Sequence, residues 1–183
     1  MRIPIPVCAF ARAHGCRCVG DTASYGRDHS TRQTFYGFRL HVRCDRSGRI
    51  EAISLAGADQ SDLALVPELV PPCTRTLLAD RNYWSPDMTA ALAPSGPRRD
   101  APFRHMTFDP TPQRNAILGS RRGRIASTFA QLVERSHLKQ IWARDLWHVG
   151  NRLVPTVLSH TIAMQHFNAK EGNPPLRLAL LLV

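Results

Sequence analysis

Apolar residues alternate with their neighbours at Ile3, Ile5 and Val7, which predicts a strand at the start of the chain. The alternation then stops. Up to Gln33 the chain is rich in arginine and cysteine and broken by Gly15, Gly20 and Gly26, the pattern of a long basic loop. Thr34-Phe-Tyr-Gly-Phe-Arg-Leu-His-Val-Arg43 is an aromatic and β-branched run, and Arg49 to Leu55 alternates cleanly after the turn Asp45-Arg-Ser-Gly48. These two predict a hairpin. After Gly57, Asp59 and Ser61 are placed to cap a helix over Asp62 to Leu69, which Pro71 and Pro72 end. Thr76 to Ala79 reads as a short buried strand that runs into Asp80 and is stopped by Asn82, Ser85 and Pro86. A short helix is expected over Asp87 to Ala93. Pro94 to Pro112 is proline-rich and basic (Arg98, Arg99, Arg104), an exposed linker with a short strand near Phe103. Ile125, Phe129, Leu132 and Val133 form one helical stripe in Ile125 to Glu134. A last helix covers Ile141 to Asn168, where Pro155 should kink or split it.

Asp80 stands out by position. In open α/β sheets, ligands and catalytic groups gather just beyond the carboxyl ends of strands. Taken alone, such an aspartate is more often a turn residue closing a strand.

Composition narrows the partner. The chain has 183 residues, 43% of them hydrophobic, enough for one domain with a core over residues 1–183. Its formal net charge is +10, and only Lys139 and Lys170 are lysines, so the basic side chains are nearly all arginine. The guanidinium fork matches pairs of phosphate oxygens, which points to a polyanion, nucleic acid above all. Prolines interrupt the first residues where a signal peptide needs a helical apolar core, and the run Leu176 to Val183 carries Arg177 and is too short to span a bilayer. A cytoplasmic protein without membrane contact is expected. The five cysteines are odd in number, and Cys16-Arg-Cys18 near His14 has no second pair at zinc-site spacing, so free thiols are expected.

Strand, basic loop, hairpin, helix, strand ending in Asp, then helices is an α/β order. It resembles a ribonuclease H-like core, a mixed sheet with flanking helices, here with an incomplete first strand. The blocks Thr34-Phe-Tyr-Gly-Phe-Arg-Leu-His41, Ala79-Asp-Arg-Asn-Tyr-Trp-Ser-Pro86, Phe129-Ala-Gln-Leu132, Trp142-Ala-Arg-Asp-Leu-Trp-His148, Leu158-Ser-His-Thr161 and Gly172-Asn-Pro-Pro-Leu176 resemble bacterial insertion-sequence transposases of the Asp-Asp-Glu type. The resemblance covers about residues 4 to 182. It implies DNA cleavage and strand transfer, with transposon ends and target DNA as partners. It also implies two Mg2+ ions, held by three carboxylates, that clamp the attacking and leaving oxygens.

On that resemblance Asp80 matches the second Asp, as catalytic and metal-binding residue. The first Asp, four residues before a segment like Pro4-Ile-Pro-Val-Cys8, falls at or next to Met1. The Glu of an Ile-Glu-Thr step falls on Ala126, in Ile125-Ala-Ser-Thr128. Glu134 cannot substitute, being about 12 Å along the helix and roughly 80° round it. Asp21 or Asp28 could reach in only from a loop. Arg121, Arg122, Arg124 and Arg144 are the candidate phosphate contacts. Trp142, Trp147 and His148 are expected in the core, Arg144 and Asp145 to pair with each other or with neighbours, and His160 to be a hydrogen-bonded core residue.

Family members carry a helical DNA-binding region before the core, whereas this chain opens at the core's first strand. Pro155, and Pro97-Arg-Arg-Asp100 where relatives have an apolar strand, read as decay. The expectation is therefore a catalytically silent transposase remnant. The alternatives are a DNA-binding module that regulates a full-length transposase, and a divergent metal-dependent nuclease using Asp80 with a loop acid. A second copy of the chain or a full-length transposase would be the protein partner.

Overall fold

The computed structural model describes residues 2–8, 10–16, 19, 22–28, 31–45, 47–70, 76–79, 83, 85, 98–100, 123, 125–141 and 143–170. Its centre is an antiparallel sheet of four strands: β1 (Arg2–Cys8), β2 (Ser24–Arg27), β3 (Thr34–Cys44) and β4 (Ile50–Gly57). β3 is the spine. β1 pairs along one of its edges, with Ile3 opposite Leu40 and Ile5 opposite Phe38. On the other edge β2 takes the first residues, with Tyr25 opposite Tyr36, and β4 takes the rest, with Leu55 opposite Leu40. A separate parallel pair joins β5 (Thr76–Leu78) to β6 (Arg98–Asp100). The helical parts are a 3-10 turn at Phe10–Gly15, α1 (Val66–Leu69), α2 (residues 125–134), a 3-10 turn at Leu138–Gln140, and α3 (Leu146–Lys170). Antiparallel and parallel strands with helices make this a mixed α/β structure.

Period-2 patterning makes one face of the sheet. Ile3, Ile5 and Val7 of β1 and Phe38, Leu40 and Val42 of β3 point the same way and are buried. Phe129 and Leu132 of α2, then Leu138, Ile141, Ala143, Val149 and Leu153, cover them. A smaller cluster, Val66, Leu69, Val70 and Tyr83, packs with Ala52, Leu77 and Ala79. The β3–β4 turn is held by Asp45, whose carboxylate accepts from the Ser47 and Arg49 backbone amides and from the Ser47 hydroxyl and Arg49 guanidinium.

The predicted β1, the β3–β4 hairpin and α2 are present. β5 is present too but is not buried as expected, since Leu78 is 43% exposed. Four further expectations are corrected. The basic loop after β1 contains a 3-10 turn and the strand β2, which forms by pairing with β3 and exposes Tyr25 and Arg27 instead of alternating apolar residues. The helix expected from Asp62 is helical only over Val66–Leu69, and its cap position is Leu65, which has no side-chain acceptor; Asp59 bonds Ser24 and Ser61 accepts from the Leu63 amide instead. Arg98–Asp100, taken as linker and as decay, is a strand paired with β5. α3 starts at Leu146, not Ile141, and runs unbroken through Pro155. Pro155 and Asn151 are both exposed. The helix expected over 87–93 and the strand near Phe103 lie outside the described residues. Among those residues no helix is long and apolar enough to cross a membrane.

Candidate functional site

Two elements should carry the carboxylates: β1, through the residue before Arg2, and β5, through Asp80. Met1 and Asp80 lie outside the described residues, but Arg2 and Tyr83 are described and are linked through Asp62 and His41. Arg2 pairs with the carboxylate of Asp62, which is buried. Asp62 Oδ1 lies 4.0 Å from Nε2 of His41, fully buried on β3. The other ring nitrogen of His41, Nδ1, is 2.7 Å from the phenol oxygen of Tyr83, three residues after Asp80. Ser54, opposite His41 in the β3–β4 ladder, donates to Glu68 on α1 at 2.7 Å. Arg2, Asp62, His41 and Tyr83 thus form one buried polar chain between the start of β1 and the segment that follows β5.

Burial dominates the electrostatics of this chain. Desolvation lowers the His41 pKa to about 4, against the opposing pull of Asp62, so the ring is neutral at pH 7. Nδ1 shares a hydrogen bond with the Tyr83 hydroxyl, while Nε2 lies beyond hydrogen-bond distance of Asp62. The spacing of motifs could not reveal this network. Its sequence signal is only that a histidine and two charged partners sit in otherwise apolar elements.

Ala126, the position of the expected Glu, lies in the first turn of α2 and is exposed. Glu134 is exposed at the far end of the same helix. Asp28 is engaged elsewhere: its Oδ2 takes the ammonium of Lys139 at 3.1 Å. Asp21 lies outside the described residues, as do Arg121, Arg122 and Arg124. Arg144 is described, and it is exposed just before α3. Asp145 pairs with His148, whose backbone amide and ring nitrogen both lie 2.8 Å from its carboxylate. The expectation of a core position fails for Trp147, which is 72% exposed, and for exposed His148. Both project from the first turn of α3, on the side away from Val149 and Leu153; Trp142 is outside the described residues. His160 is buried as expected, with Nε2 3.0 Å from Gln131 Oε1, and burial lowers its pKa. Cys44 carries a free thiol, and burial pushes its pKa up to about 11, which keeps it protonated.

Residues 2–144 match a family model described as a transposase DDE domain. The chain belongs to that transposase family. No curated protein and no solved structure matches it. Membership makes the mixed sheet a ribonuclease H-like core and gives the chain DNA as its partner. The family works with divalent metal ions, so the donors can be compared with that need. Among the described residues no three His, Cys, Asp or Glu side chains come together to hold a metal ion. The methyl group of Ala126 offers no oxygen. The described donors do not fit a metal pair.

Proposed function

We propose that this transposase-family chain is a catalytically silent copy that retains the DNA-binding character of the family. Ala126 carries the reading. The resemblance puts a metal-binding Glu at this position of α2, and the residue there has no donor atom. Asp80 is a carboxylate that the resemblance does match. Hard dications about 4 Å apart need several oxygen ligands, and the loss of the Glu leaves the pair short of them. Mg2+ is the ion the family's chemistry favours, and Asp80 is the residue that would touch it.

What remains is charge. A net +10, carried almost entirely by arginine, favours phosphate backbones. Arg121, Arg122, Arg124 and Arg144 flank α2 and the start of α3 and are the residues we assign to phosphate contact. Such a protein would occupy transposon ends or other DNA in the cytoplasm without cutting, and would hinder a full-length transposase or pair with a second copy.

The test is incubation of the full chain with duplex DNA bearing the element's ends and Mg2+ or Mn2+. No nicking is expected, while binding should weaken steeply with salt, as several phosphate contacts require. A cleavage rate abolished by Asp80→Ala would overturn the silent reading and favour a nuclease in which a loop acid such as Asp21 joins Asp80. Absence of binding at low salt would overturn the retained-DNA reading.

A further inference from the structure

The 3-10 turn after β1 opens on Phe10, a side chain that a core would normally cover. Phe10 is instead 54% exposed, and Tyr25 on β2 is 49% exposed. Their ring centroids are 6.0 Å apart and their planes cross at 80°. Tyr25 is backed by Tyr36, its direct partner across the β2–β3 ladder, at 5.0 Å. Tyr36 is buried, so it fixes Tyr25 in place without competing for solvent. Edge-to-face packing occupies one face of one ring and leaves open aromatic surface toward water.

The rim of this aromatic corner is cationic. Arg27 follows Tyr25 by two residues on β2, so both lie on the exposed side of the strand. Arg12 is exposed on the same 3-10 turn as Phe10, and Arg32 is exposed in the loop between β2 and β3. Among the described residues none of the three has an ion pair. Among the described acids, Asp28 pairs with Lys139, while Asp59 accepts from the hydroxyl of Ser24 and keeps its charge. The three guanidinium groups are left for a partner.

Open ring faces beside uncompensated guanidinium groups suit one class of partner in particular. Unpaired bases stack on aromatic rings while arginines follow the phosphates. A duplex keeps its base faces inside its own stack and could use only the arginines. The geometry points to a stacking platform for single-stranded DNA, built from Phe10 and Tyr25 and flanked by Arg12 and Arg27. It lies at the opposite end of β1 from Arg2, roughly 20 Å away at strand rise. The platform rests on the proposed retention of DNA binding and specifies its form: a displaced or frayed strand, not the intact duplex.

The experiment compares the full chain with Phe10→Ala/Tyr25→Ala, Tyr25→Trp and Arg12→Gln/Arg27→Gln variants. The probes are a fluorescein-labelled single strand of about 16 nucleotides and a duplex of the same sequence. The double alanine variant should lose about 10-fold or more in single-strand affinity, with an unchanged salt slope and duplex affinity within about 2-fold. The Arg12→Gln/Arg27→Gln variant should weaken both probes and flatten the salt dependence. Tyr25→Trp should keep single-strand affinity, and its fluorescence should be quenched by the single strand and not by the duplex. Equal losses on both probes for the alanine variant, or none on either, would overturn the platform while leaving duplex binding as its own result. Failure of the unmodified chain to bind either probe would overturn the retained DNA-binding reading as well.

Discussion

The Nδ1 atom of His41 and the phenol oxygen of Tyr83 lie 2.7 Å apart, and they tie the spine strand of the sheet to the segment that follows β5. The rings meet nearly edge to face, at 84°. Because burial lowers the His41 pKa to about 4, the folded protein holds this ring neutral, whereas the unfolded chain protonates it near 6.5. The unfolded state therefore binds the extra proton between these values. Stability from this group is complete above about pH 6.5 and falls as the pH drops toward 4. We predict a decline in urea midpoint across that window, and a shallower decline in His41→Gln. Tyr83→Phe should cost about 1–3 kcal/mol at pH 7, because it strips a buried nitrogen of its hydrogen-bond partner. A pH profile for His41→Gln that matches the unmodified protein would sink this assignment.

Gly37 explains why one block of the family resemblance has its particular form. It sits where β3 is paired on both edges, with φ +154°, and a Cβ there would come within 2.2 Å of the Ile5 carbonyl oxygen and 2.9 Å of the Val7 amide nitrogen. Both obstacles are backbone, so no rotamer relieves them. Gly37→Ala should lose at least about 3 kcal/mol or fail to yield folded protein. Gly150→Ala in α3 is the matched control: nothing lies within 4 Å of its added Cβ, and about 0.5–1 kcal/mol should be gained. Urea unfolding of both variants decides the point, and a tolerated Gly37→Ala would contradict the described pairing of β1 with β3.

Elements that bury one face announced themselves in the sequence. Ile3, Ile5 and Val7, the β3–β4 hairpin and the stripe of α2 are legible because their apolar periods are those of a strand and a helix. β2 and β6 were not legible for the opposite reason. Ser24-Tyr-Gly-Arg27 and Arg98-Arg-Asp100 have no apolar alternation, and they are strands only because β3 and β5 offer them an edge to pair with. The buried chain of Arg2, Asp62, His41 and Tyr83 joins residues as far apart as 60 positions, and no local pattern encodes such a meeting. The candidate site was legible in part. Ala126 is on the helix where the resemblance put it, while Asp28 is committed to Lys139, and Asp80 and the arginines 121, 122 and 124 fall outside the described residues.

Pro155 should be replaceable with profit to stability. Proline inside a helix removes one amide donor and crowds the carbonyl one turn back, at about 3 kcal/mol relative to alanine in an exposed helix interior. α3 continues through it from Leu146 to Lys170, with Leu153 buried just before the proline and His160 and Thr161 just after. Packing on both sides holds the helix together across the weak step. Pro155→Ala should raise stability by about 1–3 kcal/mol and increase helical ellipticity. A fall in stability would mean that the proline is needed for the packing of His160 against Gln131.

The start of α3 depends on Asp145. Its carboxylate accepts from the His148 backbone amide, satisfying one of the free donors of the first turn, and also meets the His148 ring. The backbone bond, followed by the ring bond, holds the Asp145 pKa below its ordinary 3.8 although the group is exposed. A depressed carboxylate pKa stabilises the fold above the unfolded value and ceases to do so as pH falls through the folded one. Asp145→Ala should therefore lower the thermal midpoint at pH 7, and the gap to the unmodified protein should close in acid, once the pH has fallen below the lowered Asp145 pKa. Asp145→Asn keeps an oxygen for the amide and should recover most of the loss, because the cap needs an acceptor more than a charge. Thermal melts followed by circular dichroism at the two pH values give the comparison. If Asn were as damaging as Ala, the ion pair with His148, and not the cap, would be what starts the helix.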